Sequence, residues 1–165
     1  MMRQLTIEPL TRTAFAPFGE VIQTTGIPRM INEGTTERFH SLAVADVMVK
    51  DGFAILSIFR AKRRQFPFTV RMLERHPLGT QAFYPLSDDD WLVVVGAKGA
   101  RPDPASLRCF RATGRQGVNY WRGTWHHPVL VLQPVQSFLV MDREGAGNNL
   151  EEYFFEPADH RLISA

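Results

Sequence analysis

Cysteine is nearly absent: Cys109 is the only one in 165 residues. No internal disulfide can form, so stability must come from a packed core. Cys109 lies in the apolar stretch Leu107 to Phe110 and reads as core filler rather than nucleophile. Long apolar runs are missing too, and none approaches the roughly 18 residues of a membrane-spanning helix. The N-terminal stretch Met1–Thr6 lacks the apolar segment of a signal peptide, so a cytoplasmic protein without a membrane partner is expected. The formal net charge is only +2. One dense basic cluster, Arg60, Lys62, Arg63 and Arg64, reads as a solvated loop between strands, with no broad basic stripe and hence no nucleic-acid partner. Within it Arg60 ends a strand and is expected to reach a pocket. Repeats, low-complexity tracts and linkers are absent, which leaves residues 1–165 as a single domain.

What the sequence does contain is strand signal. Short apolar and β-branched runs recur about every ten residues, separated by Gly, Pro and Asp. They are Phe53–Phe59, Phe66–Leu73, Gln81–Leu86, Trp91–Ala97, Val129–Gln133 and Ser137–Asp142. This rhythm predicts an all-β antiparallel barrel or jelly roll. Helical signals are few. Thr11 to Phe15 predicts a turn or two, and Pro104 to Leu107 another, with Asp103 as its cap. Gly26 to Thr36 reads as a loop, and Asp88 to Asp90 as an exposed turn tip.

Two stretches concentrate polar chemistry within this apolar pattern. In Leu73–Phe83 the alternation of strand side chains puts Glu74 and His76 on one face and Arg75 on the other. Pro77 to Thr80 makes a turn or bulge, and Gln81 can return to the face of His76. Buried polar groups are costly unless partnered, so this trio is either a structural network or a site. The second stretch, Gly117 to Pro128, gathers Tyr120, Trp121, Arg122, Trp125, His126 and His127. On a strand the two histidines face opposite ways, so at most one points inward. The pair Asp142-Arg143 reads as a strand-end salt bridge.

These stretches resemble the paired motifs of the cupin superfamily. Glu74, His76 and Gln81 occupy the His-x-His…Glu positions of the first motif. Gly117 leads to Gly123-Thr124-Trp125-His126 of the second, with Trp121 in place of a proline. The resemblance implies a cupin-like barrel with a few short helices, and it assigns His126 to the pocket face. The strings Glu37-Arg38-Phe39-His40, Leu73 to Phe83, Gly117-Val118-Asn119-Tyr120, Trp125-His126-His127-Pro128 and Asp142-Arg143 resemble the ureidoglycolate lyase family over nearly the whole chain.

That resemblance implies a carbon–nitrogen lyase of the amidine-lyase type in allantoin and purine degradation, splitting (S)-ureidoglycolate into glyoxylate and urea. Such chemistry needs a cation for the substrate carboxylate, a base for its hydroxyl and an acid for the departing nitrogen. The expected catalytic groups are Glu74, His76 and His126. The expected substrate-binding groups are Asn32, Arg38, Arg60, Gln81, Tyr120 and Arg122, with Arg75 ranked behind the other arginines. If a divalent metal is bound, nickel by resemblance, its ligands would be Glu74, His76, Gln81 and His126; no cofactor is demanded. The partners implied are the small substrate and a second copy of the chain. The alternatives are another small-acid cupin enzyme, a metal-dependent oxygenase or epimerase, and a non-catalytic small-molecule-binding cupin.

Overall fold

A computed structural model describes residues 3–165. Met1 and Met2, the first residues of the N-terminal stretch discussed above, lie outside the described residues. The chain is almost entirely β, as the periodicity and the cupin resemblance lead one to expect. Among the described residues the one α-helix is Arg12–Phe15, where the Thr11 side chain accepts from the Ala14 amide. Pro104–Ser106 forms a 3₁₀ turn, and its cap Asp103 accepts from the Ala105 amide. The Asp103 cap is the one the sequence predicts.

Two sheets form the frame. The larger runs Glu151–Phe154, Met72–Arg75, Trp125–His126, Trp91–Gly96, Arg108–Ala112, Ile7–Pro9, and Leu130–Val131 also pairs with Trp91–Gly96. The smaller runs Gly19–Ile22, Gly117–Tyr120, Gln81–Pro85, Val135–Glu144, Phe53–Lys62. Pairing is mostly antiparallel; Ile7–Pro9 joins Arg108–Ala112 in parallel, and Arg3–Gln4 joins Arg161–Ile163 likewise.

The first core lies between these two sheets. It joins Trp91, Val93, Val95 and Phe110 of the larger sheet to Phe83, Val118, Phe138 and Val140 of the smaller. Trp91 meets Phe138 edge-on, with ring centroids 4.9 Å apart. A second core lies on the other face of the larger sheet, where Leu92, Val94, Cys109, Trp125 and Leu130 pack with Val70, Leu73 and Ile163. Trp91–Gly96 is therefore buried at every position, which explains its unbroken apolar run. Cys109 sits within this second core, and burial pushes its thiol up to about 12, so it is no nucleophile.

Gly26 to Thr36 is more ordered than a loop. Arg29–Ile31 pairs antiparallel with Thr36–Arg38 as an exposed hairpin. Its turn uses positive φ at Asn32, Glu33 and Gly34, and Asn and Gly tolerate that backbone best. Asp142-Arg143 also departs from expectation. The two side chains alternate to opposite faces: Asp142 accepts from Gln81, while Arg143 donates to the carbonyls of Val49 and Ala146.

Candidate active site

The antiparallel pairing of Trp125–His126 with Met72–Arg75 builds the site. His126 stands opposite Glu74 in register, and His76 follows Glu74 on the same face of its chain segment. The turn after Tyr120 closes the arrangement. Gly123 takes φ +79° there, and its amide donates to the His76 carbonyl at 2.9 Å. An L side chain disfavours that conformation, so glycine fits the position. The ligating atoms of Glu74, His76 and His126 all lie within 4.8 Å of one another. Glu74 Oε1 is 3.6 Å from His126 Nε2. Tyr120 stacks on the His126 ring at 4.1 Å with a 9° interplanar angle.

Hydrogen bonds fix both imidazole tautomers. His76 Nδ1 lies 2.7 Å from the Asn149 carbonyl, and His126 Nδ1 lies 2.9 Å from the Thr124 carbonyl. A carbonyl only accepts, so each Nδ1 carries a proton and donates. When neutral, each ring therefore presents an Nε2 lone pair. Both Nε2 atoms are buried without a hydrogen-bond partner among the described residues. Two lone pairs thus converge with a carboxylate, and the cluster is completed by positive charge, as a proton or a cation.

Electrostatics match that geometry. Burial tends to raise the Glu74 carboxyl, but His126 and the charges of His76 and His127 outweigh it and hold it below its usual range. His76 is lowered, first by burial and then by His126, against the raising influence of the Asn149 carbonyl, Glu74 and Asp142. At neutral pH the pair presents a carboxylate and a neutral imidazole. The Tyr120 phenol is driven up by burial and by Glu74, so it stays protonated.

Gln81 is buried at this end of the barrel, opposite Tyr120 in register. Its Nε2 donates to Asp142 Oδ1 at 2.6 Å, and its Oε1 is buried without a partner among the described residues. The donor chemistry of Glu74, His76 and His126, two imidazole nitrogens and a carboxylate, suits a divalent cation. Ligands held at about 2.1 Å in a tetrahedral shell stand about 3.4 Å apart, so a spacing of up to 4.8 Å calls for a modest contraction.

The remaining expected binding residues stand apart from this cluster. Arg60 is exposed; its neighbour Phe59 packs on Phe83, so alternation turns Arg60 away from the interior. Arg60 therefore does not reach the pocket, which corrects the expectation. Asn32 and Arg38 belong to the exposed hairpin, where Asn32 donates to Thr36 Oγ1. Arg122 stands at the rim, one residue before the glycine bonded to His76, with its guanidinium 3.8 Å from Asp46. Arg75 lies on the opposite face from His76, as alternation requires, stacked over Trp125 at 4.6 Å and bonded to Glu151.

His127 faces away from the cluster. It is buried edge-on against Phe68, and its Nδ1 lies 2.7 Å from the Pro128 carbonyl. Burial chiefly lowers it to about 4. It lines a groove of about 530 Å³ with Arg64, Phe68 and Met72. No acidic side chain lines that groove, so it lacks convergent acid and base groups. Sequence reasoning missed Asp142 in the site. Its partner Gln81 is 61 residues away, and only cross-strand register joins them.

Known proteins resemble this chain over its full length. A family model described as ureidoglycolate lyase matches residues 2–161. A protein of Stutzerimonas stutzeri (strain A1501) named ureidoglycolate lyase is 56% identical over 163 residues, covering 98% of this chain and 96% of that protein. One of Pseudomonas fluorescens (strain Pf0-1) with the same name is 54% identical over 165 residues, covering 99% and 98%. A third, from Pseudomonas aeruginosa (strain LESB58), is 52% identical over 163 residues, covering 98% and 96%. This chain belongs to the ureidoglycolate lyase family.

Proposed function

We infer that this chain, acting as one catalytic domain over residues 1–165, is a ureidoglycolate lyase that splits (S)-ureidoglycolate into glyoxylate and urea. The observation that carries the mechanism is the pair of inward-facing Nε2 atoms beside Glu74. In the substrate a single carbon bears a hydroxyl, a carboxylate and a ureido nitrogen. The His76 Nε2 lone pair accepts the hydroxyl proton. Electrons from that O–H bond form the aldehyde C=O, and the C–N bond breaks toward nitrogen. A proton held between Glu74 and His126 passes to the departing nitrogen, giving urea. No water is consumed, and the proton taken by His76 balances the one given. Each such transfer is typically worth about 10²–10⁴-fold.

Arg122 is the carboxylate anchor best supported by position, because it precedes Gly123, whose amide donates to the His76 carbonyl, and its guanidinium is partly exposed beside Asp46. Asn32, Arg38 and Arg60 have no contact that supports a role in the same cluster. If a divalent ion is bound instead, nickel by the family's association, Glu74, His76, His126 and Gln81 would hold it, and its Lewis-acid polarisation of the substrate hydroxyl would replace the proton transfers assigned to them above.

A homodimer fits the outer face of the smaller sheet. Leu56 and Ile58 are 70% and 58% exposed, and Leu139 stands opposite Ile58 in register. An apolar sheet face of this kind is commonly covered by a partner. A cytoplasmic location fits the lone buried cysteine, and no helix among the described residues is long and apolar enough to cross a membrane. Equal release of urea and glyoxylate by purified protein tests the activity. Ammonia in place of urea would make the protein an amidohydrolase.

A further inference from the structure

Gln81 carries an amide whose two ends differ in chemistry, and Asp142 holds one of them. An ionised carboxylate has no proton to give, so only the Gln81 NH₂ can stand against it at 2.6 Å. The carbonyl end must then point the other way. It is buried, with no partner among the described residues, and lies on the strand next to Tyr120, which stacks on His126. A buried carbonyl without a donor is costly, and it is relieved when something donates to it. Asp142 itself reaches this end of the barrel from the strand Val135–Glu144, where Met141 pairs with Ala82.

We propose that Asp142 is a positioning residue that locks the Gln81 amide with Oε1 toward the site, so that the site selects ligands offering an N–H donor. This rests on the lyase reading: the substrate's ureido group supplies two kinds of N–H, and glyoxylate, the other product, supplies none. A freely rotating amide would accept or donate and would discriminate less between the two. A fixed acceptor recognises the ureido end of the substrate and lets glyoxylate leave. Missing a designed partner is what makes a buried acceptor reject the wrong ligand.

Two stable probes separate this role from a structural one. Hydantoate is the substrate without its hydroxyl and keeps the ureido N–H groups; glycolate keeps the hydroxyl and carboxylate but lacks them. Calorimetric dissociation constants on the full-length wild-type protein, Asp142→Leu, Asp142→Asn and Gln81→Met decide the matter. Asp142→Leu removes the acceptor and should weaken hydantoate about tenfold, the scale of one net hydrogen bond, with glycolate within about twofold. Asp142→Asn offers an NH₂ as well as an oxygen, so it no longer dictates which end of the Gln81 amide faces it and should recover at most part of the hydantoate affinity that Asp142→Leu loses. Gln81→Met should match Asp142→Leu, and the double variant should lose no more than either alone. Equal weakening of both probes by Asp142→Leu, full wild-type hydantoate affinity in Asp142→Asn, or additive losses in the double variant would overturn the inference while leaving the lyase reading intact. A wild-type protein that binds neither probe and releases no urea would overturn both.

Discussion

Lowering the pH from 7 to 5 should cost the fold about 2 kcal/mol through His127 alone. The residue titrates at about 4 in the fold, against 6.5 ordinarily. Between those values the unfolded chain holds a proton that the folded chain does not. Stability therefore rises with pH across this window: the contribution is present above 6.5 and is lost progressively as pH falls toward 4. Each unit of difference is worth about 1.4 kcal/mol, and the populations at pH 7 and pH 5 give the figure of about 2. His76 acts in the same direction, because its folded value is also lowered. Glu74 is lowered as well, but its contribution is lost only below its ordinary value of 4.5. Urea unfolding of wild type and His127→Phe at both pH values isolates the effect. Phenylalanine keeps an aromatic ring against Phe68 and removes the titrating nitrogens. Losing the bond to the Pro128 carbonyl lowers the variant's stability by about 1 kcal/mol, but that cost is common to both pH values. The variant should lose about 2 kcal/mol less than wild type between pH 7 and pH 5. Identical losses in the two proteins would refute the burial argument.

His126→Ala should lower kcat by about 10²-fold or more in a steady-state assay, while His127→Phe stays within a few fold. Because His126 is buried and stacked on Tyr120, the alanine variant should also lose about 1–3 kcal/mol of stability by urea unfolding; an active, unperturbed His126→Ala would contradict its place in the site. Protein purified without a histidine tag should carry substoichiometric divalent metal by elemental analysis, since the ligand atoms are spread up to 4.8 Å apart. A full, tightly held equivalent whose removal abolishes activity would show Lewis-acid catalysis to be essential. Ile58→Asp, on the exposed sheet face, should convert a dimer to a monomer in light scattering; a dimer that survives it must use another surface.

Legibility in the sequence followed locality. Asp103 was readable as a cap because a cap is a contact over two or three residues. Alternation along one strand sufficed to separate Arg75 from Glu74 and His76, and the opposite burial of His126 and His127 obeys the same rule. Non-local facts were not readable. Nothing near Trp91–Gly96 shows that a third layer covers its outer face, supplied by Val70 and Ile163. The Gln81–Asp142 bond depends on the register of Met141 with Ala82. Arg60 was misplaced because the strand Phe53–Lys62 extends beyond its apolar run, so Arg60 is an interior strand position and not an end. The family resemblance carried the choice of His126 over His127, which the alternation rule alone leaves open.

The most direct test follows racemic ureidoglycolate with purified protein by NMR, measuring urea, glyoxylate and ammonia together. The expected result is consumption of about half the substrate, in one enantiomer, with urea and glyoxylate released in equal amounts, no enzyme-dependent ammonia, and a rate at least about 10²-fold lower in His126→Ala. Release of ammonia instead of urea, or no turnover above the uncatalysed rate, would contradict the assignment of this chain as a ureidoglycolate lyase.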